Sequence, residues 1–552
     1  MNRKHMNRRY FRRIGCAALA GLMLTFTACS GGTAGTAGQE TAASAEEASV
    51  SAEETGKAAE SESPEDGEKD YSGVYENSED GGHAILADGE TASYQDGKVV
   101  KTGEAEGDEA DFYGENAAVF ATNGASLDLE NMEITTGGTH ANAVFSYGEG
   151  TTVNIAHSVI ETSGNCSGGL MTTGGGTMNA TDLNIHTTGN SSAAIRSDRG
   201  GGTVNVTEGT YTTDGVGSPV IYSTADITVS DAEMTSTASQ GVVVEGKNSV
   251  TLNEVKLTAD NNKKNGDKSD YYQAVMIYQS MSGDADEGTA KFTSEGSSIT
   301  NKNGDIFFVN NTRAEIALTE TEFTNEGDGV FLRAAAAGWG REGANGGHVD
   351  LRADNQTIEG DMLVDSVSSL NLYLSDNSSF TGAVNPEGAA GQVYVELADG
   401  AKWTLTGDSF ITALTCGADA IDLNGYKLTV GDKEYTEGTS SSGEAVKVEI
   451  QSSGEGGPDG RPEGGKPDGK PGDGKGGHGG EGGKPPKGER PEGQNGAQGN
   501  PPEGAPEGQP PQGNPPEGAP EGQPPQGNPP EGAPQGNPPE KPAETDVQVV
   551  GQ

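Results

Sequence analysis

The sequence predicts an all-β fold, a β-solenoid in which every unit adds three short strands to stacked parallel ladders. The first observation is an apolar–polar–apolar strand that keeps returning: Leu127-Asp128-Leu129, Val153-Asn154-Ile155, Met178-Asn179-Ala180, Val204-Asn205-Val206, Ile227-Thr228-Val229 and Val250-Thr251-Leu252, at steps of 26, 25, 26, 23 and 23 residues. The second is a further apolar pair after each copy (Met132 with Ile134, Leu183 with Ile185, Val255 with Leu257), and then a third apolar run (Ala143-Val144-Phe145, Ala194-Ile195, Val220-Ile221-Tyr222, Val242-Val243-Val244). The third is the Gly, Ser and Asn that separate them. A fixed period with period-two strands inside it is the signature of a β-solenoid. Hairpin proteins do not return one strand at constant register, and a helical solenoid does not use apolar spacing of two with abundant Gly, Thr, Asn and Asp.

The N-terminus carries Arg3, Lys4, Arg8, Arg9, Arg12 and Arg13, then a mostly apolar stretch from Ile14 to Ala28 and small residues after it. A basic region before a short apolar one reads as a signal peptide over residues 1–28 rather than as a membrane span. Phe26-Thr27-Ala28-Cys29 resembles the lipobox of bacterial lipoproteins, with Phe where Leu is commoner. The resemblance implies lipidation of Cys29, and with it an exported chain held to the cell membrane on its extracellular face, exposed at or spanning the cell wall.

Residues 29–70 are Ala, Ser, Gly, Glu and Thr with almost no large apolar side chain, too little to offset the entropy of ordering, and are expected to be a disordered tether. From 453 to 552 the chain is Gly, Pro, Glu, Gln and Asn; Gly499–Gln512 repeats as Gly513–Gln526, and 23 of the 26 prolines lie in this stretch. Glycines at 499, 504, 508, 513, 518, 522 and 527 break the every-third rule of collagen, so a disordered, semi-extended low-complexity tail is expected.

Between tether and tail, residues 71–452 contain only Pro219 and Pro386, and the strand motif goes on as Ile316-Ala317-Leu318, Val349-Asp350-Leu351, Leu370-Asn371-Leu372, Val393-Tyr394-Val395 and Ile421-Asp422-Leu423. That makes roughly a dozen coils, on the order of 60 Å of stack at the usual strand spacing. Cys166 and Cys416 then stand about ten coils apart, too far to pair.

The three-strand coil, the strand Thr203-Val204-Asn205-Val206 and the segment Ser379-Phe380-Thr381-Gly382-Ala383-Val384-Asn385 resemble the right-handed parallel β-helix proteins of the pectin-lyase-like superfamily, above all its adhesin-like and carbohydrate-binding members on bacterial surfaces. The resemblance implies one right-handed β-helix over the body. It does not imply one activity, because the fold hosts many.

Charge narrows the partners. Removing residues 1–28 takes away six of the 35 basic side chains and none of the 84 acidic ones, so 29 against 84 leaves a net −55. Nucleic acid is excluded, and contact with anionic membrane surfaces is left to the lipid alone. The middle residues of the first strands, Asp128, Asn154, Asn179, Asn205, Thr228 and Thr251, should line one outer face, either as a solvated surface or as a hydrogen-bonding ladder for a glycan.

Two insertions interrupt the coils. One runs from Ala259 past Tyr271 and Tyr272 to the loop Gly283-Asp284-Ala285-Asp286-Glu287-Gly288; the other runs from Arg333 through Trp339 and Arg341 to His348. Loops 281–289 and 333–347 both come after a third strand and precede a first one, which puts them at one edge, about 10 Å apart. Such loops are either a binding face or tolerated decoration. An exposed Trp339 suits stacking on a sugar, with Arg333, Arg341, Tyr271 and Tyr272 as further ligand-binding candidates. Asp284, Asp286 and Glu287 are candidate calcium ligands, although the spacing is not that of an EF-hand.

Catalytic signatures are sparse. The pectinases of this architecture carry Asp-Asp, Gly-His-Gly and Arg-x-Lys; the body has neither Asp-Asp nor Arg-x-Lys, and its Gly477-His478-Gly479 lies in the tail. The one assembly suited to lyase chemistry is Arg333 or Arg341 near Asp284 and Asp286. Nucleophile-elbow, zinc-helix and phosphate-loop motifs do not occur, so nucleotides are excluded as partners. The expectation is a non-catalytic, lipid-anchored surface protein for adhesion or for binding extracellular polysaccharide or a host or cell-wall surface. A polysaccharide lyase or glycoside hydrolase on the same fold is the alternative.

Overall fold

A computed structural model describes residues 71–264, 271–388, 390–398 and 400–448. The expected signal peptide, Cys29, the tether, the tail and residues 265–270 of the first insertion lie outside the described residues.

The described chain is all-β, with one short helix, Asp108–Phe112, among the described residues. Long parallel sheets dominate: one of 21 strands, one of 11 and one of 4, with a terminal sheet of 3. Pairings between strands are parallel throughout except where Leu428–Val430 meets Lys433–Glu434. Each strand pairs with its counterpart one repeat on. Asp128 stands opposite Asn154, then Asn179, Asn205, Thr228 and Thr251 come in turn, which is the register the repeat predicts.

Alternation puts Leu127, Val153, Met178, Val204, Ile227 and Val250 in one buried column, Ile134, Ile160, Ile185, Tyr211, Met234 and Leu257 in a second, and Val144, Leu170, Ile195, Ile221, Val242 and Val275 in a third. Each buried aliphatic side chain contributes about 2 kcal/mol, so the columns are the main source of stability.

The corners have their own chemistry. First and second strands are joined by single residues in the left-handed region: Asn131, His157, Asp182, Glu208, Asp231 and Glu254, with φ between 49° and 61°. Asn and Asp suit that conformation best, and at all but Asn131 the corner side chain is exposed to water. His157 is therefore a corner residue, its Nδ1 3.0 Å from Asp182.

At the next corner Ser167, Ser192 and Ser218 stack. Their hydroxyls donate to the carbonyls of Gly138, Gly164 and Gly189 at 2.8, 3.0 and 2.8 Å. Each also accepts, at 2.9 Å, the N–H of the equivalent residue one repeat earlier. Glycine is required beside this column, because a Cβ at Gly189 would come 1.8 Å from the Gly164 oxygen.

Two expectations shift. In the later repeats the strands lengthen at their starts, so Ile316 pairs with Leu351 and not with Val349. Ile421-Asp422 is not a first strand: it pairs with Trp403-Thr404 in the four-stranded sheet, while Ala413–Cys416 takes the first-strand position. An apolar triplet looks alike in either ladder, and only the pairing tells them apart. Cys416 is buried and free, so it makes no bond to Cys166.

Candidate binding groove

The eleven-stranded sheet, built from the third strands, is buried on both faces over most of its strands, with Leu86 of its first strand left exposed. Its outward side chains form a register column: Phe120, Phe145, Met171, Arg196, Tyr222, Val243, Met276, Phe308 and Arg333. Such a stripe needs cover, and two inserted segments supply it. Residues 102–117 lie over one end, where Ala117 packs with Phe120, Phe145 and Met171 and the Phe112 carbonyl accepts from Thr173 at 2.7 Å. At the other end Ala335 and Trp339 pack on Val243, Met276, Tyr278 and Phe308.

Between the two covers lies a buried polar centre. Arg196 contacts Asp198 at 2.8 Å and Asp111 at 3.0 Å, and His140 stands 3.6 Å from Asp111. Burial, with Asp111 and Asp284 nearby, outweighs Arg196 and pushes the Asp198 carboxyl up to about 7. Arg199 ties the 102–117 cover to the loop that carries Asp284, bonding Asp284 at 2.7 Å and Asp108 at 2.9 Å with its guanidinium 3.7 Å from the Phe112 ring centre. Two strands further on, Glu245 accepts hydrogen bonds from Tyr222, from Tyr278 at 3.0 Å and from the Ser280 N–H at 3.2 Å. Burial raises the Glu245 carboxyl above its usual range.

Beside these tyrosines opens a small groove of about 70 Å³. Tyr222, Tyr278 and Trp339 give it aromatic walls, Val243 and Met276 an apolar floor, and Ser239, Gln240, Asn261 and Lys263 a polar rim. The Trp339 and Tyr278 rings stand at 66° with centroids 5.2 Å apart. The mixture of apolar walls with a few polar groups is that of a ligand site, and the space suits a head group and not a whole drug-sized molecule.

The residues singled out from sequence separate into two groups. Trp339 lines the groove, but it is not exposed as expected: it is 2% accessible, because the loop folds back onto the sheet and lays the indole against Tyr278. Asn345 secures that loop, donating to the carbonyls of Ala337 and Trp339 at 2.7 and 2.8 Å. Arg333 is held by Asp305 through contacts of 2.6 and 3.1 Å and covers the Tyr271 ring at 4.0 Å; it is not beside Asp284, which Arg199 holds. Tyr271 packs on Phe308, and the Tyr272 ring lies 5.6 Å from the Lys264 ammonium. Arg341 is exposed on its loop.

Asp284 and Asp286 are engaged by different cations, Arg199 and Lys247, each at 2.7 Å. Among the described residues no group of three or more His, Cys, Asp or Glu, Glu287 included, is placed to hold a metal. The two loops do share an edge: the Asn311 side chain donates to Gln279 at 2.8 Å and its N–H to Asn345 at 3.1 Å.

The Asp128 ladder is present, but its amides bond one another. Asn205 donates to Asn179 at 3.0 Å, Asn179 to Asn154 at 2.9 Å and Asn154 to Asp128 at 2.7 Å.

Sequence reasoning missed residues 102–117, Arg196, Asp198, Arg199, Glu245 and the tyrosines Tyr222 and Tyr278. A signal existed: the third-strand runs Leu170-Met171, Val242-Val243-Val244 and Ile306-Phe307-Phe308-Val309 are continuously apolar, the pattern of strands covered on both faces. Comparison with family models, curated proteins and solved structures finds no match to this chain.

Proposed function

We propose that the protein is an exported, lipid-anchored surface protein whose ladders wind as a single right-handed parallel β-helix of the pectin-lyase-like kind, and that it binds extracellular polysaccharide without cleaving it. The observation that carries the reading is the groove at Tyr222, Tyr278 and Trp339. Sugar rings present apolar C–H faces and hydroxyl edges, so aromatic walls beside amide and hydroxyl groups meet both at once. Lipidation at Cys29 supplies the anchor, and the acidic surface supports solubility outside the cell.

A polysaccharide lyase or glycoside hydrolase is the second reading. It is favoured by one observation, the two buried carboxyls Asp198 and Glu245 with raised proton affinity near the groove. The test is a glycan-array screen of the full chain, with and without calcium, and then incubation with each hit. Binding without cleavage supports the first reading, cleavage the second, and no binding removes both.

A further inference from the structure

We infer that the groove selects a quaternary ammonium group carrying a neighbouring anion, a choline-phosphate or betaine type of zwitterion. The inference rests on the binding reading above and names the chemistry of the bound group. Three aromatic side chains, Tyr222, Tyr278 and Trp339, line one small cavity, and two of them meet at 66°. Walls set at a steep angle around an apolar floor of Val243 and Met276 form a box and not a flat stacking platform.

Ring faces attract a cation electrostatically, and a methylated ammonium suits them because it carries charge without hydrogen-bond donors that would need partners. The floor and walls offer it methyl-sized contacts, and the two phenol hydroxyls are already committed to Glu245.

Charge complementarity points the same way. The Glu245 carboxylate sits directly behind both phenols, drawing on their protons and adding negative charge at the back of the box. A neutral sugar gains nothing from that charge, whereas a buried cation does. Lys263 lies at the rim, where its ammonium opposes a bare cation and attracts a phosphate or carboxylate placed a few atoms from the quaternary nitrogen. A zwitterion with its cation inward satisfies both ends.

The test is equilibrium titration of the full chain with choline, choline phosphate and glycine betaine, and with 3,3-dimethylbutanol, which has the shape of choline and no charge. Tryptophan emission is a direct readout, since the chain has two tryptophans and the other, Trp403, is fully buried with its Nε1 donating to Gly382 at 3.0 Å.

Choline phosphate should bind at least about tenfold more tightly than dimethylbutanol. Glu245→Gln, which keeps shape and loses charge, should reduce that preference, and Lys263→Ala should weaken choline phosphate but not choline. Trp339→Leu should abolish binding, and Trp339→Phe should retain part of it, which separates a lost ring from a lost fold.

Equal affinity for choline and dimethylbutanol, or no binding of any charged probe, overturns the inference. Array glycans free of ammonium groups that bind through Trp339 would overturn it while leaving the polysaccharide reading intact. Choline binding with no glycan bound would do the reverse. Choline-phosphate-bearing polysaccharide and phosphatidylcholine vesicles, tested in parallel, distinguish a wall polymer from a lipid surface as the source.

Discussion

Arg199 Nε donates to Asp284 Oδ1 at 2.7 Å across 85 residues of sequence, and the same guanidinium reaches Asp108 at 2.9 Å. Asp284 is nearly buried, so its carboxylate depends on this partner. Arg199→Ala leaves it without that cation and is expected to cost about 2 kcal/mol. Urea unfolding with unchanged m-value measures the loss, and limited proteolysis should cut first within 102–117 or 279–288. An unchanged midpoint would show the pair to be incidental.

The Asp198 carboxyl gives the fold a definite pH dependence. Burial raises it to about 7, against Arg196 and with Asp111 and Asp284 adding to the rise. In the unfolded chain it titrates near 3.9. The folded state therefore holds the extra proton between those values. The associated stability is complete below about pH 4 and is lost as pH rises through about 7. Relative to Asp198→Asn, which cannot ionise, the wild type should lose on the order of 2–4 kcal/mol between pH 4 and 8. A difference in melting that is flat across this range would contradict the assignment.

The serine–glycine corner should be the least tolerant part of the repeat. Gly189→Ala drives a methyl into the Gly164 carbonyl, which is backbone and cannot swing aside. A loss of about 3 kcal/mol or more is expected, seen as a melting temperature lowered by several degrees. Ser192→Ala, which removes the hydroxyl between two repeats, should cost about 1–2 kcal/mol by the same measurement.

Along the outer ladder each asparagine donates to the residue one repeat earlier. Asn179→Asp replaces the donor to Asn154 with a carboxylate facing a carbonyl oxygen, and should destabilise by about 1 kcal/mol at neutral pH, less in acid. Thermal melts at two pH values test it.

These ladders are legible in the sequence because one side of each first strand is dry and the other wet, so the period of two is written in residue type. Ile421 is misassigned for the converse reason: an isolated triplet carries the period but not its partner. The groove is less legible. Trp339 between two glycines has the composition of an exposed loop, and only the column Val243, Met276 and Phe308 beneath it provides the reason to fold inward. The Arg199 pairing joins segments whose separation no local pattern encodes. The third strands do advertise a covered outer face, through apolar runs where alternation is absent.

Ligand is expected to enter the groove between Trp339 and Tyr222, and the deciding measurement is the affinity of an array-selected ligand for the wild type, Trp339→Ala and the rim variant Gln240→Ala. Roughly a tenfold or greater loss is expected for Trp339→Ala and a smaller loss for Gln240→Ala, with far-ultraviolet spectra unchanged. Wild-type affinity in both variants would contradict this and move the binding surface elsewhere on the parallel sheets.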